Sequence, residues 1–263
     1  MQHLIKSYIK FLWNSKNEHG IHSPFVYDLV TKCFYDKKSI PEYLILKQYR
    51  KLLLENKNFI EVTDFGAGSK VFKSNKRQIA KIAKTSGISS KRAELLLRIV
   101  GYFQPNSILE IGTSLGIATV ALSLGNTKTK ITTLEGCANT MSIAKEMFQV
   151  PNFNFQEEYL ECITTEFSNY FKTYNLQRTT YDLIYFDGNH SKKATLEYFE
   201  ILLPTINNES VWIFDDIHWS SEMEEAWELI KIHDKVRVTI DTFQWGIVFF
   251  RTEQNKEHFI IRA

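Results

Sequence analysis

Cysteine is scarce in this sequence: Cys33, Cys137 and Cys162 are far apart and show no Cys-x-x-Cys spacing. An odd, scattered set offers neither a disulfide framework nor a thiolate metal site, and it suits a reduced, cytoplasmic protein. Long hydrophobic runs are missing too. No apolar stretch approaches the ~20 residues that cross a bilayer, so no membrane span is expected. The first residues, MQHLIKSYIKFLWNSK, are interrupted by Lys6 and Lys10 and lack a small-residue cleavage site, so they do not read as a signal peptide. Their Leu4, Ile5, Tyr8, Ile9 and Leu12 share one helical stripe, expected to dock onto the body of the protein, with an interfacial membrane helix as the lesser alternative. Internal repeats and low-complexity linkers are absent as well. With 44% hydrophobic and 24% charged residues, disorder and fibrous classes are excluded.

Net charge is small, +2, but unevenly spread. Lys70, Lys73, Lys76, Arg77, Lys81, Lys84, Lys91 and Arg92 follow one another with no acid between them, whereas Asp215 to Glu228 holds acids and no Lys or Arg. The basic run reads first as a solvated face and second as an anion-attracting surface.

The 263 residues suffice for one α/β domain plus an extension. Residues 1–104 read as a helical extension or cap. From Pro105 short strands alternate with helical patterns: Ser107–Ile111, Lys130–Leu134, Phe153–Gln156, Asp182–Phe186 and Val211–Phe214, then a hairpin of Val236–Thr242 and Trp245–Arg251. Ser221 and Glu224 have capping-box spacing ahead of the amphipathic stripe Met223, Ala226, Trp227 and Ile230. Alternation of this kind predicts a mostly parallel sheet with one antiparallel strand over 105–263. Ligands in such sheets bind beyond the carboxyl ends of the strands.

The first of these ends reads Glu110-Ile-Gly112-Thr113-Ser114-Leu-Gly116. A glycine turn between strand and helix lets backbone approach a ligand. The spacing is not the Gly-x-Gly-x-x-Gly of dinucleotide sites, and Glu110 would repel a phosphate while suiting an amino group and a sulfonium. The second end is Glu135, twenty-five residues on, placed to accept both ribose hydroxyls of a nucleoside. Asp187 with His190, and Asp215 and Asp216 with His218, close two further strands. Hard oxygen ligands gathered there suit Mg²⁺ or another divalent cation, and a neutral histidine could take a proton. Equally, Asp215 and Asp216 could cap the next helix.

The stretches LEIGTSLG (109–116), TTLEG (132–136), DLIYFDGNHS (182–191) and WIFDDIH (212–218) resemble class I S-adenosylmethionine-dependent methyltransferases, and within them the divalent-metal-dependent small-molecule O-methyltransferases. The resemblance implies a Rossmann-like seven-stranded sheet, with S-adenosyl-L-methionine held by Glu110, Gly112, Thr113, Ser114, Gly116 and Glu135. It places the metal on Asp187, Asp215 and Asp216, the catalytic base at His190, and His218 in a supporting position. The partner it implies is a small molecule with a hydroxyl group; nucleic acid is not expected, and a homo-oligomer is compatible with it. Two positions depart from the family: Ala118 followed by Thr119 replaces a serine, and Gln156-Glu157 replaces the usual adenine contact, which stays unassigned.

Two other motifs compete. Thr63-Asp-Phe-Gly-Ala-Gly-Ser69 imitates a strand and glycine turn but lacks a following acidic strand, and reads as a loop over the active site. Ile79 to Leu96, with Gly87 at its centre, imitates a helix-turn-helix. The alternatives are therefore a metal-independent RNA or protein methyltransferase, or a nucleic-acid-binding protein without catalysis.

Overall fold

The computed structural model describes residues 2–65, 72–153, 157–173 and 180–263. Helix α1 (Gln2–Asn14) and α2 (Pro24–Leu29), which runs on as a π-helical turn over Val30–Phe34, lead to α3 (Glu42–Glu55). A hairpin of β1 (Phe59–Glu61) and β2 (Lys76–Gln78) precedes α4 (Ile79–Thr85) and α5 (Ser90–Phe103). Strands and helices then alternate through β3 (Ser107–Ile111), α6 (Ile117–Gly125), β4 (Lys130–Glu135), α7 (Ala138–Phe148), β5 (Leu160–Thr164) and α8 (Phe167–Thr173). The series continues with β6 (Leu183–Phe186), α9 (Lys192–Leu202), β7 (Val211–Asp215), α10 (Ser221–Ile232), β8 (Val238–Asp241), β9 (Trp245–Phe249) and β10 (Glu257–Ile260).

The main sheet has the strand order β10-β8-β9-β7-β6-β3-β4-β5. Strand β9 runs antiparallel to β7 and β8, while β3–β4, β4–β5, β6–β7 and β10–β8 pair in parallel. This is the fold that the alternation implies, with eight strands rather than seven. The extra one, β10, is a half-exposed edge strand, and its short apolar end does not stand out by periodicity. Strands β6 and β7 are buried along their whole length, which is why they read as unbroken apolar runs.

Of the expected strand Phe153–Gln156, residues 154–156 lie outside the described residues. Phe153 lies in a 3-10 turn with its ring 4.9 Å from Tyr49, so its apolar character serves packing. The strand of that region is β5, whose Glu161 and exposed edge conceal it. The capping box is also shifted by one residue: Ser220, not Ser221, accepts the Met223 N–H and caps α10, which frees Glu224 for other partners.

The chain forms two compact units, residues 36–170 and residues 1–35 with 171–263. In the first, α5 buries Ala93, Leu95, Leu96, Leu97, Ile99 and Val100 and packs on α6 and α3. That corrects the helix-turn-helix reading, because a recognition helix needs an exposed face and α5 spends its own on the core. In the second unit, α1 buries only Ser7 and Phe11. Phe11 and Tyr8 meet Phe243 at 5.5 and 4.8 Å between ring centroids. The expected docking stripe of Leu4, Ile5, Ile9 and Leu12 is instead exposed. Phe25 packs edge-on against Phe249, 5.0 Å between centroids, under the Arg251 guanidinium.

Candidate active site

In the unit 36–170, β3 ends in a loop with three positive φ angles, at Gly112 (107°), Ser114 (48°) and Gly116 (80°). The loop curls onto the end of β4. The N–H groups of Gly112 and Thr113 both donate to the Leu134 carbonyl, at 2.9 and 3.0 Å. At Gly116 a Cβ would come within 2.6 Å of the Phe148 ring and 2.7 Å of the Tyr49 hydroxyl, so glycine is needed there for close packing. Tyr49 donates its hydroxyl to the Leu115 carbonyl, which ties α3 to this loop.

Glu135, at the end of β4, is fixed from both sides. Its Oε2 accepts the Ser114 N–H at 2.8 Å, and its Oε1 accepts the Cys137 N–H at 2.9 Å. Burial pushes its carboxyl up and the charge of Asp64 adds to that, while the backbone donors pull it down. With the Gly136 N–H as a third backbone donor, the carboxylate keeps a lone pair for a ligand hydroxyl. The expected ribose acceptor is therefore a carboxylate held in one orientation.

Glu110 is fully buried. Its Oε2 accepts the hydroxyls of Thr119 at 2.6 Å and Thr133 at 2.5 Å, with Thr113 hydrogen-bonded behind Thr133. Among the described residues its Oε1 has no partner. Burial pushes its pKa up to about 8, against the two hydroxyls. Thr119, noted in the sequence only as a departure from the family, is thus the residue that holds Glu110. A buried acceptor without a donor beside a fixed ribose carboxylate fits a nucleoside ligand bearing a cationic amino group.

The stem of the Thr63 loop lies on the same strand end. The Thr63 N–H donates to the Cys137 sulfur, and Asn139 donates to the Glu61 carbonyl at 2.7 Å. The Phe65 ring rests on Gly136, where a Cβ would meet it at 2.6 Å, and it remains 47% exposed. Gly66 to Ser69 fall outside the described residues, as do Lys70 and the side chains of Gln156 and Glu157. Of the basic run, Arg77 pairs with Asp64 and stacks on Phe72, and Lys76 lies over Phe59.

In the other unit, the loop after β6 turns at Asn189 (φ 54°), and Ser191 caps α9 by accepting the Ala194 N–H. His190 sits with Nε2 3.7 Å from Oδ1 of Asp187. Asp215 is buried at the end of β7, and Asp216 opens a turn with φ 54°. Among the described residues no group of three or more His, Cys, Asp or Glu side chains is gathered so as to hold a metal ion. The expected ligands Asp187, Asp215 and Asp216 close the neighbouring strands β6 and β7. His218 has a different partner set from the one expected. Its two ring nitrogens meet Glu224 at 2.7 Å and Asp241 at 2.8 Å, and its ring stacks on Phe243. Burial opposes its charge, but the two carboxylates outweigh burial and raise its pKa. Engaged by a carboxylate at each ring nitrogen, His218 has neither nitrogen free to face a substrate.

Residues 109–217 match the family model of a methyltransferase domain. The sheet order around it is that of the class I methyltransferase fold. No curated protein sequence matches the chain. Among solved structures it is similar to the methyltransferase PaMTH1 of Podospora anserina bound to S-adenosylhomocysteine, with 15% identity and a TM-score of 0.61 over 88% of this chain and 97% of that one. It is also similar to the O-methyltransferase of Bacillus cereus in complex with S-adenosylhomocysteine, with 16% identity and a TM-score of 0.55 over 83% and 95%. A third is TomG of Streptomyces achromogenes, an O-methyltransferase involved in tomaymycin synthesis, in complex with S-adenosylmethionine, with 13% identity and a TM-score of 0.56 over 84% and 95%. At these identities the likeness is one of fold.

Proposed function

We propose that the protein transfers the methyl group of S-adenosylmethionine to a hydroxyl oxygen of a small molecule. One observation carries the cofactor half of this reading: the Glu135 carboxylate, clamped by Ser114 and Cys137 next to the bare backbone of Gly136. When bound, the cofactor supplies an electrophilic methyl group on a sulfonium. Glu135 accepts the ribose hydroxyls, and Glu110 takes the positive charge of the methionine portion. The stem of the Thr63 loop covers the end of β4, with Phe65 shielding the nucleoside from water. Transfer to oxygen is the activity named for two of the similar structures.

His190 is the base in this proposal. Its place three residues after Asp187 supports the role, and Asp187 orients its ring. A divalent ion would be held by Asp187, Asp215 and Asp216, and no step above passes through one. The test is direct. Calorimetry with S-adenosylhomocysteine is expected to show binding; binding of NAD without any adenosyl ligand would sink the reading. Turnover of a panel of phenols and sugar hydroxyls, with excess Mg²⁺ and with excess EDTA, then decides the metal.

A further inference from the structure

Helix α1 presents to solvent a face that a soluble enzyme has no use for. Leu4, Ile5, Tyr8, Ile9, Leu12 and Trp13 are all exposed, Ile5 at 55%, Ile9 at 59% and Trp13 at 88%. They recur at the i, i+4, i+8 spacing of one continuous helical stripe. Of the fourteen exposed large hydrophobic side chains among the described residues, these six sit on thirteen residues of helix. Scattered apolar residues on a surface need no explanation, whereas a contiguous patch marks an interaction site.

The charges around the stripe identify the occupant. Lys6 and Lys10 are exposed along its border and Lys16 follows the helix, while residues 1–17 contain no Asp or Glu. A second copy of the same face would bring uncompensated lysines together. An anionic lipid surface complements them, and an indole at the end of an apolar face beside lysines is the composition of an interfacial helix. We infer that α1 lays this face on an anionic lipid bilayer and docks the protein to it peripherally. The opposite side is already fixed: Phe11 is buried against Phe243, and Ser7 and His3 engage Glu224. The lipid-facing side is thus held in place before contact, which spares the ordering cost of a free peptide. No helix among the described residues is long and apolar enough to cross a membrane, so the helix lies in the interface.

The test uses the full chain and vesicles of phosphatidylcholine with or without about a third phosphatidylglycerol. Trp13, 88% exposed, reports contact: Trp212, Trp227 and Trp245 are fully buried, and the half-buried Trp219 remains as background in the Trp13→Phe variant. Flotation with the anionic vesicles is expected, together with a blue shift of emission that Trp13→Phe removes. The double variant Ile5→Ser/Ile9→Ser and the double variant Lys6→Glu/Lys10→Glu should each lower the partition coefficient at least about tenfold. These side chains are exposed, so an unchanged melting temperature confirms that the variants fold. Two outcomes overturn the inference: no partitioning onto anionic vesicles at low salt, or a dimer in ultracentrifugation that Ile5→Ser/Ile9→Ser dissociates without any lipid binding.

Discussion

The hydroxyl of Thr119 donates to Oε2 of Glu110 across 2.6 Å, in a place where no water reaches either group. The first turn of α6 thereby holds the carboxyl that ends β3. This arrangement sets the first prediction. Glu110 ionises at 4.5 in an unfolded chain, and burial raises it to about 8 in the folded one. Between those values the folded protein keeps a proton that the unfolded chain has lost. Stability from this group is full below 4.5 and declines as pH rises toward and through about 8. Melting temperatures measured across that window without ligand are expected to fall more steeply for the wild type than for Glu110→Gln, which is neutral at every pH. Equal slopes would mean that Glu110 is ionised when buried.

Glu135→Ala is expected to weaken S-adenosylhomocysteine binding by about 1.5–3 kcal/mol, the range for hydrogen bonds to a charged group. The same variant loses the anchor of the Ser114 N–H, so Glu135→Gln serves as a control: it keeps an acceptor but not the charge. Calorimetry of the three proteins separates the ribose contact from a loosened loop.

Phe65→Ala should weaken the same ligand by about 1–2 kcal/mol if the ring covers the nucleoside, as exposed aromatic faces do elsewhere. Its partner Gly136 gives a second handle. Gly136→Ala would displace the ring, since the new Cβ would sit 2.6 Å from it. Unchanged affinity in both variants would return Phe65 to a bystander role.

Gly116→Ala should destabilise the protein by roughly 2–4 kcal/mol, combining a positive φ with overpacking against Phe148 and Tyr49. Denaturant unfolding measures this. A loss confined to ligand affinity, with stability intact, would contradict the packing role and favour direct cofactor contact.

His190→Ala is expected to lower turnover by roughly 10²–10⁴ while leaving S-adenosylhomocysteine affinity within error. Asp215→Ala is expected to abolish any Mg²⁺ response of the rate. Full activity in excess EDTA would remove the metal and leave Asp215 and Asp216 with structural roles.

How much of this could be read from the sequence follows from where each residue is used. Strands β3, β4, β6 and β7 were legible because they are buried runs bounded by turns, and their acidic ends Glu110, Glu135, Asp187 and Asp215 came with them. Strands β5 and β10 lie at the two edges of the sheet, where half-exposed positions erase the pattern. Phe153 misled because an aromatic side chain in a short turn looks like one in a strand. Residue pairs remote in sequence were out of reach altogether. Nothing in the order of residues says that Thr133 and Thr119 converge on Glu110, that Phe65 rests on Gly136, or that His218 is spent between Glu224 and Asp241. The carboxylates after β6 and β7 were legible as positions but not as a cluster, because spacing along a chain does not fix the distance between strand ends.

Lys16 and Ile261 form a bridge that continues the sheet past β10, with the Lys16 N–H donating to the Ile260 carbonyl at 2.8 Å. The residue two beyond the end of α1 is therefore stitched to β10, a strand remote from it in sequence. On the ribosome α1 has no seat until Glu224 and Phe243 have emerged, so it waits unmoored through the synthesis of every strand from β3 to β8. A chain cut after Arg251 would keep every strand that carries a candidate active-site residue, and the Phe243 and Glu224 contacts of α1, yet lose the Lys16 bridge. Proteolysis between Arg251 and β10 would thus be felt just beyond α1.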